Sequence, residues 1–157
     1  MVTKKMLSVL FIVAGMTLFA RPVDAQPDLT GTWTGEAVCK GFDGVKFTWE
    51  CCPTMEISQV DATTFRLSFP DEGYLYFGKI IADAAKPSEK GEVAFVGCPT
   101  ANTLPDDSEM GRASVKTGTR STFKGVSIFL EWADMVHTCK WNYTRTSTAD
   151  PGVAACP

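Results

Sequence analysis

Histidine is the side chain most often used for proton transfer near neutral pH, and this chain of 157 residues contains only His137. A catalytic histidine needs a partner that orients it or exchanges its proton, and the surrounding sequence offers none. A G-x-S-x-G elbow, an H-E-x-x-H zinc motif and a glycine-rich phosphate loop are also missing from the sequence. We therefore expect His137 to be a packed or rim side chain, and we predict a protein that is not an enzyme.

Cysteine is the other reactive residue type, and all the cysteines follow residue 25: Cys39, Cys51, Cys52, Cys98, Cys139 and Cys156. An even number of cysteines in an exported chain predicts disulfide bonds, which remove the thiols as nucleophiles. Metal binding is the alternative. Adjacent cysteines do not form a C-x-x-C pair and His137 is the single histidine, so we expect neither a metal site nor a cofactor.

Acidic side chains cluster in the polar segment from Pro99 to Met110, where Asp106, Asp107 and Glu109 lie close together. Clustered carboxylates are what a calcium ion prefers as ligands. Their spacing matches no calcium loop, and serine and proline surround them. We therefore expect a solvated acidic loop.

The elements that position these residues are strands, because short segments rich in β-branched and aromatic residues alternate with turn residues. We predict strands near 31–40, 45–51, 54–60, 63–70, 74–81, 92–98, 111–118, 123–132 and 136–146. So long a meander exposes two unpaired edges unless it closes on itself. We therefore predict an all-β fold, an up-and-down antiparallel β-barrel of eight to nine strands reinforced by disulfides. A β-sandwich is the alternative.

Closure of the barrel requires the first and last strands to pair. If they run antiparallel with paired positions summing to 178, the pairs are Trp33 with Arg145, Gly35 with Tyr143, Ala37 with Trp141, and Cys39 with Cys139. These pairs place a cation beside a ring, an aromatic over a glycine, a small residue against a large one, and two cysteines at disulfide spacing.

The same register indicates a Cys39–Cys139 disulfide. The Asp43-Gly44 turn places Thr48 or Trp49 opposite Cys39, which argues against a bond from Cys39 to Cys51. A bond between adjacent cysteines would strain the peptide that joins them. We therefore predict that Cys51 and Cys52 pair with Cys98 and Cys156, in an order that the sequence leaves open.

Gly31-Thr32-Trp33 on the first strand, with Arg145 on the last, resembles the calycin barrels: lipocalins, avidins and fatty-acid-binding proteins. In lipocalins a tryptophan of the first strand packs under an arginine from near the end of the barrel, and the lumen binds small apolar molecules. The resemblance implies the same arrangement here. Small barrels that open with a Gly-x-Trp strand also occur among secreted bacterial metalloprotease inhibitors, so the resemblance leaves the ligand open.

Aromatic residues carry the functional question, since an eight-stranded barrel can either be filled by side chains or hold one small ligand. Phe47 and Trp49 belong to the aromatic set that could line such a pocket. The candidate ligand-binding residues that we select are Trp33, Phe65, Phe77, Phe95, Trp141, Tyr143 and Arg145. An ordinary packed core is the other role open to these aromatics, and it is the one we favour. Tyr74, Tyr76 and Phe77 could instead form an exposed anchor for a protein partner.

The net charge of −3 argues against nucleic acid as a partner, because an acidic domain repels phosphates. Two functions remain. The first is an exported barrel that binds a small apolar molecule in its lumen. The second is a secreted inhibitor that binds a protein through its loops or termini. The sequence predicts no oligomeric state.

Residues 1–25 have the pattern of a signal peptide: Lys4 and Lys5, an apolar run from Met6 to Ala20, and Val23-Asp24-Ala25 as the cleavage site. A membrane anchor is the alternative, but it needs about 20 apolar residues and this run is shorter. We therefore expect a secreted or periplasmic protein that leaves the membrane after cleavage. Residues 26–157 form one predicted domain, whose tail (147–157) we expect to be fixed only by Cys156.

Overall fold

The computed structural model describes residues 26–99, 108–131 and 135–157, and the predicted signal peptide lies outside these ranges. Within them the chain forms nine β-strands and no helix, as the alternating pattern predicts. The strands are β1 (Gly31–Asp43), β2 (Val45–Cys51), β3 (Thr54–Gln59), β4 (Thr64–Phe69), β5 (Tyr74–Ala82), β6 (Lys90–Gly97), β7 (Ser108–Lys116), β8 (Thr122–Glu131) and β9 (Met135–Ser147).

Eight of these strands close into an antiparallel barrel. From β3 to β9 each strand pairs with the next along the chain, and β1 lies between β3 and β9. The predicted up-and-down barrel is confirmed, and the sandwich does not form. The predicted register is also confirmed, because β1 and β9 pair Trp33 with Arg145, Gly35 with Tyr143, Ala37 with Trp141, and Cys39 with Cys139.

The extra strand, β2, results from a break opposite the long strand β1. The first part of β1 pairs with β3 and its second part pairs with β2, so that β2 and β3 together lie along one edge of β1. The break is at Cys52-Pro53, where Cys52 adopts a left-handed conformation (φ 64°) and proline has no N–H to donate. Beyond the break, β2 has β1 as its single partner among the described strands, which leaves the barrel open at this end.

The opposite end of the barrel is closed by Trp33, which is fully buried. Its indole N–H donates a hydrogen bond to the Leu29 carbonyl at 3.0 Å, and Phe123 contacts it edge to face. The Arg145 guanidinium lies 5.4 Å from the Trp33 ring centroid and donates to the carbonyl of Asp28 at 2.8 Å. The chain before β1 is thereby held across the barrel end, as the resemblance to calycins implies for Trp33 and Arg145.

Between the two ends the barrel is filled by aromatic rings. Trp141 stacks on Phe95 with ring centroids 4.5 Å apart and also lies parallel to Phe123 at 6.1 Å. Glycines make room for these rings: a Cβ added at Gly111 would lie 2.3 Å from the Phe95 ring, and one at Gly78 would lie 2.2 Å from Phe65. The packed-core role predicted as an alternative therefore holds for the middle of the lumen.

The disulfides confirm one predicted pairing and correct another. Cys39 is bonded to Cys139, as the register predicts. The expected cross-pairing of Cys51 and Cys52 is wrong, because these two are bonded to each other and Cys98 is bonded to Cys156. The peptide after Cys51 is free of regular strand geometry at the break, and the Tyr143 hydroxyl holds the Cys52 carbonyl at 2.7 Å.

The C-terminal tail is fixed by more than Cys156, contrary to our expectation. The Ser58 hydroxyl donates to the Asp150 carboxylate at 2.5 Å and accepts from the Val153 N–H at 2.8 Å. Arg66 donates to the Val153 carbonyl, and the Val153 side chain is buried. Serine hydroxyls that both donate and accept can join a tail to a strand in this way, which a composition of small residues does not reveal.

Truncation of Trp33 tests the closed end. We expect Trp33→Ala to lower the free energy of unfolding by about 3–5 kcal/mol, because it leaves a cavity under Arg145 and Phe123. Urea denaturation midpoints measure the change. Phe42→Ala is the matched control, since Phe42 is exposed and its truncation should cost about 0.5 kcal/mol or less. Equal midpoints for wild type and Trp33→Ala would contradict this role.

Candidate functional site

A cavity of about 120 Å³ lies at the open end of the barrel, between β2 and the turn that joins β4 to β5. An engineered apolar cavity of about 150 Å³ holds a benzene molecule, so this space accommodates a group of that order. Its lining is mainly aromatic: Trp49, Phe69, Tyr74, Tyr76, Phe129 and Trp141. Strand alternation explains the set, because each of these strands turns every second side chain inward.

Glu109 is the buried charge of the site, with only 7% of its surface exposed. The Tyr76 phenol donates a hydrogen bond to its carboxylate. Burial raises the pKa of Glu109 above its ordinary value of 4.5, and the nearby hydroxyls of Ser127 and Tyr76 partly oppose that rise. Burial also raises the pKa of Tyr76 well above 10, and the Glu109 charge adds to this effect, so Tyr76 stays a neutral donor.

The expectation of a solvated loop is therefore wrong for Glu109. Strand β7 begins at Ser108, and its alternation turns Glu109 inward while Met110 lies outside. The expected loop residues Asp106 and Asp107 lie outside the described residues. Sequence patterns predict that a carboxylate is exposed to solvent. Whether Glu109 points into the barrel or out of it depends on the phase of the alternation along β7.

His137 is packed, as we expect from the sequence. It is 4% exposed and lines the cavity. Trp49 contacts it edge to face with ring centroids 4.6 Å apart, and Phe47 does so at 5.3 Å. These contacts join β2 to β9 across β1, so His137 helps to hold β2 over the cavity.

Two disulfides form one wall of the cavity, Cys39–Cys139 and Cys51–Cys52. The first ties β1 to β9, and the second lies at the break between β2 and β3. Bonded sulfurs are apolar and polarizable, and they present no thiolate for nucleophilic chemistry. This wall is therefore an apolar surface whose side chains have few alternative conformations.

The predicted ligand-binding residues fall into three places. Trp141 lines the cavity, at the boundary with the filled lumen. Most of the others are buried in the filled core or at the closed end, namely Trp33, Phe65, Phe95 and Tyr143. Arg145 is partly buried at the closed end. Phe77 is a correction, because it is 38% exposed on the outside of the barrel. It alternates with Tyr76, and Tyr76 is the residue that faces inward.

The site residues that our selection omits are Trp49, Tyr76, Glu109 and His137. The predicted anchor role of Tyr74, Tyr76 and Phe77 does not fit Tyr76, which is buried against Glu109. A consistent strand phase was the available signal for Tyr76, since Gly78 and Ile80 share its face. The burial of Glu109 could be recognised only after β7 was placed next to β8, because the neighbouring strands cover its side chain.

Two classes of site are not found in the described part of the chain. No group of three or more His, Cys, Asp or Glu side chains there is arranged to hold a metal ion. No helix in the described ranges is long and apolar enough to cross a membrane. Comparison of the chain with protein-family models, with curated proteins and with solved structures finds no match.

The pKa of Glu109 gives the site a pH signature. The folded protein binds this proton more tightly than the unfolded chain does, so its contribution to stability is full below about pH 4.5 and is lost as the pH rises through the raised folded pKa. Glu109→Gln has no such proton. We therefore expect the stability of wild type to fall relative to the Gln variant as the pH rises through this window.

Urea denaturation of both proteins at a series of pH values measures that difference. Glu50→Gln, which removes an exposed carboxyl from β2, is the matched control and should give a difference without this trend. Stability curves for wild type and Glu109→Gln that stay parallel across the window would contradict burial of the carboxyl.

Proposed function

We propose that this protein is an exported, non-catalytic binding protein that holds one small, largely apolar group in the cavity at the open end of the barrel. The observation that carries this proposal is the cavity lining, which combines aromatic rings and bonded sulfurs with few polar groups. Small-molecule sites in proteins have this composition, with a few placed polar side chains to orient the ligand.

The filled core supports a ligand position at the open end of the barrel. The stacked rings of Trp141 and Phe95 leave the middle of the lumen packed, so the ligand rests above Trp141 instead of passing through the barrel. Its further atoms extend through the gap that β2 leaves at its unpaired edge. A cavity of this volume holds a ring or a head group rather than a whole lipid.

The resemblance to calycins supports the same function. In lipocalins the lumen binds small apolar molecules, and a tryptophan of the first strand packs under an arginine from near the end of the barrel. In this chain Trp33 and Arg145 occupy those positions, with 5.4 Å between the guanidinium and the ring centroid. The signal-peptide pattern of residues 1–25 and the bonded cysteines support export to an oxidising compartment.

Titration with benzyl alcohol, followed through the tryptophan indole N–H signals in nuclear magnetic resonance spectra, tests the proposal. We expect saturable shifts for Trp49 and Trp141, which line the cavity, and none for Trp33, whose N–H is bonded to Leu29 at the closed end. Trp49→Ala should weaken binding about tenfold through lost contact area, whereas Phe42→Ala should leave it unchanged. No saturable shift at Trp49 and Trp141 would count against the site.

A secreted inhibitor is the second candidate function, and one observation favours it. Exposed apolar residues form a row across the outside of four strands, in which Phe77 pairs with Val96, Val96 with Met110, and Met110 with Ile128. Contiguous apolar surface of this kind is typical of protein contacts. A second titration tests this candidate, with a secreted metalloprotease as the added protein and the methyl signals of Met110 and Ile128 as the readout. It predicts shifts at these two methyl groups without shifts of the Trp49 and Trp141 indole signals.

A further inference from the structure

We infer that the group bound in this cavity is a small organic ammonium ion, either primary or quaternary, and that the Glu109 carboxylate is its counter-ion. This inference rests on the proposed function and names the chemical class of its ligand. It comes from three properties of the lining: the sign of its charges, the type of its rings, and the surroundings of the buried carboxylate.

The charges on the cavity wall are acidic. Glu109 lies within the wall and Glu72 lies at its exposed rim, while the described lining contains no Lys or Arg. His137 is the remaining titratable group of the lining apart from the tyrosines. A cleft of one sign attracts ligands of the opposite sign, so this wall favours a cation and repels an anion.

The rings are of the kinds that bind cations best. Trp49, Trp141, Tyr74 and Tyr76 all line the cavity, and indole and phenol faces attract ammonium groups through their negative quadrupoles. Phe69 and Phe129 complete the aromatic lining. Proteins commonly bind quaternary ammonium ions in aromatic cages of this composition. The rings give the methyl groups apolar contact and place the positive charge in the negative potential of the ring faces.

Among the described residues Glu109 has no cationic partner, which a buried carboxylate normally has. Buried charges are paired or heavily hydrogen-bonded, because removing an ion from water is costly. The Tyr76 phenol donates one hydrogen bond and the Ser127 hydroxyl lies nearby, whereas a carboxylate accepts about four hydrogen bonds. A ligand ammonium at the cavity would supply the missing positive charge, and a primary ammonium would add N–H donors as well.

The size of the cavity separates a head group from a whole molecule. With about 120 Å³ available, a trimethylammonium group fits, and the ring of a benzylammonium ion or any longer chain must lie partly outside, beside β2. The disulfide wall of Cys51–Cys52 contacts the apolar part of such a group, and Glu109 contacts the nitrogen.

Three probes with the same ring and different charges test the inference: benzylammonium, benzyl alcohol and benzoate, each titrated at neutral pH. We expect benzylammonium to bind about tenfold more tightly than benzyl alcohol, and benzoate to bind most weakly. In Glu109→Gln, benzylammonium should lose about tenfold in affinity while benzyl alcohol changes less than about twofold. Glu50→Gln, on the outer face of β2, should leave all three unchanged.

The possible failures are distinguishable. If benzyl alcohol binds as tightly as benzylammonium, the cation preference is wrong while the binding function stands. The same conclusion follows if Glu109→Gln keeps the full preference. If none of the three probes binds to wild type, the proposed function itself fails. The Trp33 indole signal, which lies at the far end of the barrel, shows in each variant whether the fold is intact.

Discussion

The pairing of β1 with β9 is the constraint on which the rest of this structure depends. Strands with one apolar face and exposed edges gain little until the sheet closes, because closure satisfies both edges and buries the inner face at once. Here closure joins Trp33 to Arg145 at one end and Cys39 to Cys139 near the other. The aromatic core, the closed end and the cavity all lie along this one seam.

The cavity follows from the different lengths of the strands at that seam. β1 and β9 each span thirteen residues, whereas β3 and β4 span six, so the seam extends beyond the short side of the barrel. The strand β2 covers part of that extension through Trp49 and its contact with His137. What remains uncovered is a small space between long strands and a short wall, in which an acidic side chain meets aromatic rings.

Sequence reasoning predicted the parts of the molecule that depend on counting along strands. The nine strands follow from alternation, which is a local rule with a period of two. The Cys39–Cys139 bond follows from one long-range register, which the closure of the barrel requires and the two-residue period restricts. It missed what distant residues impose. The left-handed Cys52 is held by a hydrogen bond from Tyr143, ninety-one positions away, and Glu109 is buried by strands that flank it only after folding. Phe77 was selected for the site in place of Tyr76. The two neighbours point to opposite faces of β5, so an error of one residue in strand phase exchanges the inner and the outer side chains.

Disulfide mapping tests the seam most directly. The protein is alkylated to prevent thiol exchange and is digested without reduction. Mass spectrometry then identifies the disulfide-linked peptides. We expect the peptide with Cys39 to be joined to the one with Cys139, Cys51 and Cys52 to be bonded within one peptide, and Cys98 to be joined to Cys156. A peptide in which Cys39 is joined to Cys51 or Cys52 would contradict the closure of the barrel through its first and last strands.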